Sequence, residues 1–314
     1  MYLKRKLVCL LIAFSLSLSI CTMASAAGSQ REFVTTTPVL AHGILYVASS
    51  TPSQRRGHLR AIDLVGSYPV TLWDAAERMP FAGTGANPGE LAEGDPPGTV
   101  QAENLYRTIY TNTNGRLLPL TAAHLSRLQP ALNVASRAEA EMLLHGVRGR
   151  RGGSVERVAG SDEDPQRLWS LSRSSPALVG RSLYNTAHGQ RDQVIYCGAE
   201  DGMLHAFFAG LWQAENEGYR NDVADGGKEL WAYLPGSFLP HLQDQPLDDV
   251  FADLAVHLDG SPLVRELFLD LDGDGLRQWH TLLVATGTIV PQRTSCFFVM
   301  DISDPYHPQL LWEK

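Results

Sequence analysis

Three carboxylates at alternate positions are the residues of this chain best suited to do chemistry. Asp270, Asp272 and Asp274 are separated by single residues, and Gly275 follows the last of them. Aspartates at positions 1, 3 and 5 of a loop, with glycine at position 6, form the first half of a calcium-binding loop of the EF-hand type. Alternate residues turn their oxygens toward one centre, and the glycine allows a sharp bend. The spacing therefore predicts a calcium site.

The rest of this loop supplies weaker ligands. Calcium takes six to eight oxygens, so Leu276 would add its main-chain carbonyl at position 7 and Gln278 would contribute at position 9, through a water molecule. Position 12 is Thr281, where a complete EF-hand has a bidentate glutamate. We therefore expect weak affinity of the extracellular type. The competing interpretation is an acidic turn between two strands, without a metal. The predicted metal ligands are Asp270, Asp272, Asp274, Leu276 and Gln278.

The composition describes a folded, acidic protein. Of the 314 residues, 44% are hydrophobic and 19% are charged, which suffices for a buried core. The formal net charge is −8. Nucleic-acid binding requires a basic surface and is therefore not expected. The length fits about two average domains or one large all-β domain.

The N-terminal segment has the three parts of a secretory signal peptide. Lys4, Arg5 and Lys6 form a positive region, residues 7–20 form an apolar run, and residues 24–26 form a small-residue cleavage site. We predict that residues 1–26 are removed on export. The mature chain would then lie in the periplasm, at the outer membrane or at the cell surface.

Export leaves two cysteines, Cys197 and Cys296, each within an apolar run. They are either two buried small hydrophobic residues or the two ends of a cross-strand disulfide, which an oxidising compartment permits. Pairing geometry is not visible in a sequence, so both possibilities stay open.

An internal repeat is the main clue to the fold. Each copy has a strand, a turn, a second strand, a looser link and a third strand that ends in tryptophan, and the copies lie at residues 45–74, 195–231 and 282–312. The runs are short and bounded by Gly, Asp and Pro, as in antiparallel sheets. Gly202 supplies a residue tolerant of positive φ in the turn of the second copy. Small sheets that pack face to face around an axis form a β-propeller, and the closing tryptophans offer flat surfaces for this packing.

A long insertion, around residues 75–168, separates the first copy from the second. It combines a Gly- and Pro-rich loop at 79–100, a helical pattern at 121–144 and a polar loop at 147–166. Three blades do not close a ring, since propellers have about four to eight. We expect a partial propeller, truncated at its C-terminal end, with one or two degenerate blades within residues 100–185.

Motifs of familiar enzyme classes are missing from the sequence. It contains no HExxH pair, GxSxG elbow, P-loop, Rossmann fingerprint or haem-attachment motif. His205 lies in an apolar run and is expected to be a hydrogen-bonded core residue rather than a metal ligand. No motif of the sequence therefore points to one of these enzyme classes.

Seven phrases of the sequence resemble the β-propeller of the PilC/PilY family of type IV pilus assembly and tip-adhesin proteins. The longest runs from Val194 to Phe207 and includes an Asp-Gly turn. Single phrases are moderately specific, but seven in the same order are highly specific. The others lie at residues 72–76, 107–111, 174–179, 228–235, 257–262 and 298–305.

This resemblance implies an exported protein that supports pilus biogenesis and can act at the pilus tip in surface adhesion. It implies pilins and other type IV pilus assembly proteins as partners, and a host or abiotic surface as a further one. Family members carry a calcium site of alternating aspartates in the propeller, thought to regulate pilus extension and retraction. Asp270, Asp272 and Asp274 match that motif, whereas Gln278 stands where the family has a carboxylate. Residues 27–314 are thus expected to form an incomplete PilY-type propeller.

The repeat is also similar to the blades of PQQ-dependent quinoprotein dehydrogenases, which close on a GKxxW-like pattern that residues 227–231 match. Those enzymes need an adjacent pair of cysteines near the cofactor, and the sequence has none. A third possibility is an outer-membrane assembly scaffold without metal or pilus. The predicted fold class is all-β: a partial propeller with quinoprotein-like blades and a helical and loop insertion, after a signal peptide.

Overall fold

The computed structural model describes residues 31–51, 55–79, 107–148, 168–185, 188–245 and 253–314. The predicted signal peptide, 1–26, and most of the two loops predicted at 79–100 and 147–166 lie outside these residues. Within them the chain is mostly β-sheet with few helices, as the all-β prediction requires.

The first repeat folds as an antiparallel sheet. Its central strands follow one another as a meander, β3 to β4 to β5, and the two short N-terminal strands both pair with β3. Asp74 ends the last strand and accepts a hydrogen bond from the Ala76 amide, 3.0 Å away, which starts the short 3-10 turn Ala75–Glu77. The strands are β1 (Phe33–Val34), β2 (Val39–Ala41), β3 (Ile44–Thr51), β4 (Arg56–Asp63) and β5 (Val70–Asp74).

The second sheet contains the second repeat and part of the insertion. Its strands are β6 (Ile109–Thr113), β7 (Arg116–Pro119), β8 (Ala177–Val179), β9 (Gln193–Gly198), β10 (Leu204–Gln213), β11 (Gly218–Arg220) and β12 (Glu229–Leu234). The order β8-β9-β10-β12 is an antiparallel meander, as predicted, and Gly202 takes φ 86° in the turn between β9 and β10.

The hairpin β6–β7 corrects the prediction of degenerate blades within residues 100–185. β6 pairs in parallel with β12 and so extends the outer edge of the second sheet. β8, at the other end of the same region, is the first strand of the meander of that sheet. The described residues of this region therefore enlarge an existing sheet and do not form a further one.

The insertion also contains the predicted helices, α1 (Leu125–Leu132) and α2 (Arg137–Val147). Asn133 ends α1 in the left-handed conformation. Ser136 begins α2 with a capping box, because its side chain accepts from the Glu139 amide while the Glu139 carboxylate accepts from the Ser136 amide. The buried leucines of both helices pack in the same core as the second and third sheets.

The third sheet contains the third repeat, and all its strands pair antiparallel. The strands are β13 (Val256–His257), β14 (Leu263–Leu269), β15 (Gln278–Ile289), β16 (Thr294–Asp301) and β17 (Gln309–Glu313). A 3-10 segment, Gly236–Asp244, leads from the second sheet toward it.

The three sheets pack in series. One hydrophobic core lies between the first and second sheets, and a larger one lies between the second and third sheets and the helices. Across the described residues the sheets do not close into a ring. Because each predicted copy of the repeat forms a sheet of its own or the centre of one, the repeat prediction is confirmed. A closed propeller is not observed in the described residues.

Candidate functional site: an acidic loop beside an aromatic surface

The acidic loop lies at the tip of a hairpin in the third sheet. β14 and β15 pair from Leu263 to Leu269, so residues 270–277 form the connection between them. Asp270 is half-buried and the residues of the loop after it are exposed. The structure therefore places the predicted metal ligands on the surface, directly before a long strand.

Asp270 organises this loop through its own carboxylate. Its Oδ1 accepts a hydrogen bond from the Gly273 amide at 2.8 Å and its Oδ2 accepts one from the Gly275 amide at 2.9 Å. Gly273 and Gly275 take φ values of 72° and 86°, which residues with a side chain seldom adopt. Asp274 accepts from the Leu276 amide at 2.7 Å. The backbone thus makes the sharp bend that the spacing predicts.

The carboxylates are not gathered around one centre. No three acidic, histidine or cysteine side chains in the described ranges lie close enough together to hold a metal ion. Each oxygen of Asp270 keeps a second lone pair beyond the amide that it accepts from. Asp272 and Asp274 are exposed, so rotation of their side chains toward Asp270 meets no packed core. The donor types fit calcium, and gathering them requires this rotation.

The later positions of the loop have different surroundings. Leu276 is exposed, and Gln278, also exposed, is the first residue of β15. Thr281 is buried, and its hydroxyl accepts a hydrogen bond from Arg191 Nη1 at 2.9 Å. The residue at position 12 therefore joins the second sheet to the third and does not face the loop.

An exposed aromatic surface adjoins the loop. Trp279 stacks on Tyr184, with ring centroids 4.6 Å apart, and lies 5.4 Å from the ring of Phe268. Asn185 holds the pair together, because its Nδ2 donates to the Trp279 carbonyl at 2.8 Å. Tyr184 and Phe268 are exposed, as is the neighbouring Leu183. Exposed apolar groups that cluster in this way mark interaction surfaces. We refer to Tyr184, Phe268 and Trp279 as the aromatic surface.

A buried charged network lies in the second sheet, and the sequence patterns did not reveal it. Arg107 makes a bidentate ion pair with Glu229, at 2.7 and 2.8 Å. His205 lies between two carboxylates, with Nδ1 2.7 Å from Glu229 and Nε2 3.3 Å from Asp201. All four side chains are buried. The expectation that His205 is a hydrogen-bonded core residue is confirmed.

The charges of this network stabilise one another. Burial alone would lower the pKa of His205, but Asp201 and Glu229 raise that pKa to about 9. Burial alone would raise the pKa of Glu229, but Arg107 and His205 hold that pKa at about 2. Because the network is closed to solvent, we assign it to stability rather than to chemistry. Its only signal in the sequence was Asp201, four residues before His205.

Two further polar side chains join the sheets. Arg191 Nε donates to the Gly180 carbonyl at 2.7 Å and its Nη1 donates to the Ser303 carbonyl at 2.8 Å. Glu313, in the last strand, accepts from the Ser237 amide at 2.8 Å and from Asn112 Nδ2 at 3.0 Å. The third sheet is therefore fastened to the second by hydrogen bonds as well as by the core.

The two cysteines do not form a disulfide. Cys197 and Cys296 are both free and buried. Cys197 belongs to the core between the first and second sheets and Cys296 to the core between the second and third. The interpretation as small hydrophobic residues is confirmed, and the interpretation as a cross-strand bridge is wrong. Burial raises the pKa of the Cys296 thiol to about 11 and also raises that of Cys197.

The architecture defines a protein of repeated antiparallel sheets packed in series, with an exposed acidic loop and an exposed aromatic surface. No helix of the described residues is long and apolar enough to cross a membrane. No protein-family model matches the chain, and no solved structure matches it.

Curated relatives carry the name of one type of pilus protein. The chain is 29% identical over 164 residues to the type IV pilus biogenesis factor PilY1 homolog of Xylella fastidiosa, covering 47% of this chain and 11% of that protein. It is 27% identical over 164 residues to PilY1 of Pseudomonas aeruginosa strain PAO1, covering 46% and 12%. With PilY1 of the UCBPP-PA14 strain the identity is 25% over 248 residues, covering 72% and 19%.

The predicted relationship with the PilC/PilY proteins is confirmed by these matches. The chain is distantly similar to these type IV pilus biogenesis factors. It spans less than a fifth of the length of these curated relatives.

Proposed function

We propose that this chain is an exported factor of type IV pilus biogenesis that acts by binding and has no catalytic activity. The similarity to PilY1 over 248 residues, 72% of the chain, is the observation that carries this proposal. Pilins and other pilus assembly proteins are the proposed partners, with a host or abiotic surface as a further one. The proposed location is the cell envelope, the cell surface or the pilus tip. In this proposal the three sheets are consecutive blades of a β-propeller.

The aromatic surface is the proposed contact area on this chain. Its rings have flat apolar faces, and Tyr184 and Trp279 each add one polar group at the ring edge, a composition common at protein interfaces. The acidic loop connects the two strands that carry Phe268 and Trp279. Phe268 lies two residues before Asp270, and Trp279 directly follows Gln278. A change in the loop would therefore act directly on the position of these rings.

Calcium binding at the acidic loop is the second part of the proposal. Asp270, Asp272 and Asp274 would hold the ion, together with the Leu276 carbonyl and, through water, Gln278. The bound cation would supply the charge that lets three carboxylates approach one another. Rotation of Asp272 and Asp274 toward Asp270 would then fix the loop and, through the start of β15, the aromatic surface.

A deletion experiment in the source cells tests the pilus role. The coding sequence is removed, surface fibres are sheared off, and pilin in the sheared fraction is measured together with twitching motility. We expect both to fall and to return when the wild-type chain is supplied. An immunoblot of the fibres with an antibody to residues 195–235 reports whether the chain travels with the pili. Unchanged piliation would contradict the pilus role and favour an assembly scaffold that acts elsewhere.

A pair of variants separates the calcium role from the pilus role. Asp272→Ala removes a proposed ligand, and Asp222→Ala removes the same charge from an exposed position in the loop between β11 and β12. We expect the first to restore pili without their response to added calcium, and the second to restore both. If Asp272→Ala behaves as wild type in a strain whose pili depend on the chain, the calcium part is wrong and the pilus part stands.

A further inference from the structure

The aromatic surface lies at the junction of the second and third sheets. Phe268 and Trp279 are directly opposite each other in the pairing of β14 with β15, so both rings lie on one face of the third sheet. Tyr184, from the loop between β8 and β9, stacks on Trp279 from the side of the second sheet. Tyr184 is 55% exposed and Phe268 is 48% exposed. Contacts between the two sheets therefore build this surface, and most of its exposed area belongs to Tyr184 and Phe268.

Carboxylates lie on both sides of the Phe268 ring. Alternate residues of a strand share a face, so Glu266, two residues earlier in β14, lies on the same face as Phe268. Glu266 is half-buried, and its Oε1 lies 3.9 Å from Arg191 Nη2. Asp270 follows Phe268 by two residues and begins the acidic loop. That loop contains three aspartates and one arginine, Arg277, so its formal charge is −2. The exposed rings therefore adjoin a net negative charge.

Two other places in the chain show how aromatic rings and carboxylates together hold a cation. Arg181 Cζ lies 5.2 Å from the centroid of the Trp212 ring, and Arg181 Nη1 lies 3.5 Å from Glu217 Oε2. In both places a guanidinium contacts an aromatic face and a carboxylate at the same time, and the two attractions add. The second place has the same three groups, with corresponding distances of 5.6 and 3.7 Å: Arg55, Trp169 and Glu200.

The aromatic surface offers the same two attractions to a cation from another molecule. Among the residues that the structure describes, no arginine or lysine lies over the rings of Tyr184, Phe268 or Trp279. A guanidinium is the cation best suited to such rings, because it is planar, always charged and more weakly hydrated than an ammonium group. Its fork of N–H donors also matches a carboxylate. The chemistry of the surface therefore favours arginine over lysine.

We propose that the aromatic surface and the acidic loop bind an arginine-bearing, basic segment of a partner protein. A guanidinium of this segment lies on the exposed ring of Tyr184 or Phe268 and pairs with a carboxylate of the loop. The charge of the loop also attracts the segment before contact, which raises the rate of association. The proposal rests on the proposed binding role of the aromatic surface and adds the chemistry of the partner. It does not require calcium, since the loop carries its own charge without a metal.

The test is the binding of a fluorescein-labelled peptide of alternating glycine and arginine to the full exported chain. Fluorescence anisotropy gives the Kd, with EDTA present so that no divalent cation offsets the charge of the loop. A matched peptide carries citrulline in place of each arginine, which keeps the planar shape of the side chain and removes its charge. We expect the citrulline peptide to bind about tenfold more weakly or worse. Binding of the arginine peptide should weaken as salt is added, because salt screens exposed charges.

Two variants assign this binding to the aromatic surface. Tyr184→Leu and Phe268→Leu keep an apolar side chain at an exposed position and remove the aromatic face. Each should raise the Kd of the arginine peptide by about threefold or more. Phe297→Leu makes the same change at a ring of the third sheet that is 46% exposed and outside the aromatic surface, and should leave the Kd unchanged. Circular dichroism checks that each variant is folded.

The contrary outcomes are equally specific. Equal binding of the two peptides would overturn the proposal and assign the aromatic surface to an uncharged partner. A wild-type chain that binds neither peptide would also overturn it, as would a Phe297→Leu variant that loses as much affinity as Phe268→Leu. None of these results would contradict the pilus role, because the deletion experiment tests that role without the peptides.

Discussion

The indole of Trp231 donates a hydrogen bond to the main-chain carbonyl of Pro305, 2.8 Å away, and so joins the last strand of the second sheet to the third sheet. The ring is fully buried and also packs on Tyr196, with centroids 5.7 Å apart. One side chain thus combines the cross-strand packing of its own sheet with the contact between sheets. Trp312 ends the third repeat as Trp231 ends the second, but Trp312 is exposed. The two residues therefore allow a buried and an exposed tryptophan to be compared in one chain.

Trp231→Phe should destabilise the chain much more than Trp312→Phe. The first change leaves the buried Pro305 carbonyl without its donor and opens a gap beside Tyr196, for a cost of about 2–4 kcal/mol. The second changes a half-exposed side chain and should cost less than about 0.5–1 kcal/mol. Urea unfolding followed by circular dichroism measures both. Equal losses would show that Trp231 contributes no more than an exposed ring.

Stability should decline as the pH rises through the range of His205 titration. The pKa of His205 is about 9 in the fold and about 6.5 in an unfolded chain. A raised pKa means that the protonated form favours folding, so this contribution is complete below about pH 6.5 and is lost as the pH rises through about 9. His205→Gln should flatten this slope, whereas His188→Gln, at an exposed position, should preserve it. Urea unfolding between pH 6 and 9.5 gives the slopes, and equal slopes in the three proteins would contradict the network.

At low pH, the dependence of stability on pH should be set by Glu229. Its pKa is about 2 in the fold against an ordinary 4.5, so its contribution is complete above about pH 4.5 and is lost as the pH falls toward 2. Glu229→Gln keeps the shape but leaves Arg107 buried without a counter-charge, which typically costs about 3–5 kcal/mol. Urea unfolding at pH 6 measures this loss. A loss below about 1 kcal/mol would mean that the buried ion pair is not formed.

The repeat and its strands could be predicted because their signals are local. A tryptophan after a leucine, a turn with Gly202 and short apolar runs report their own conformation, and the structure confirms them. The hairpin β6–β7 could not be placed, because parallel pairing with β12 joins residues more than a hundred positions apart and leaves no trace in a local pattern. Among the described residues of 100–185, strands of the second sheet stand where degenerate blades were predicted.

The candidate site divides in the same way. The bend at Asp270 was predictable, since glycine at the right spacing determines the backbone. The role of Thr281 was not, because it depends on Arg191 reaching across from the second sheet. The buried ion pair of Arg107 and Glu229 was equally hidden, as charged residues are seldom buried and a sequence shows no partner. The stacking of Tyr184 on Trp279 likewise required the fold.

Both cysteines should resist thiol reagents in the folded chain. Cys197 and Cys296 are buried in different cores, and burial raises their pKa values, so little thiolate forms at neutral pH. We expect no labelling by a maleimide without denaturant and labelling of both residues in strong urea, as read by mass spectrometry of the exported chain. Oxidation before unfolding should leave this result unchanged. Protection of both thiols in urea after oxidation would reveal the bridge that the structure excludes.

Calcium should raise the melting temperature of the chain through the acidic loop. A ligand that binds only the folded state at a hundred times its dissociation constant stabilises by about 2.7 kcal/mol, which corresponds to a rise of several degrees for a chain of this size. Asp272→Asn removes one carboxylate and should abolish the rise, while Asp222→Asn makes the same change at an exposed position outside the loop and should retain it. Magnesium at the same concentration controls for ionic strength, because it prefers a smaller octahedral site. Two outcomes would contradict the metal site: a wild-type melting temperature that does not change with calcium, or an equal rise in the Asp272→Asn variant. Residues 270–275 would then be an acidic turn stabilised by hydrogen bonds from its own amides.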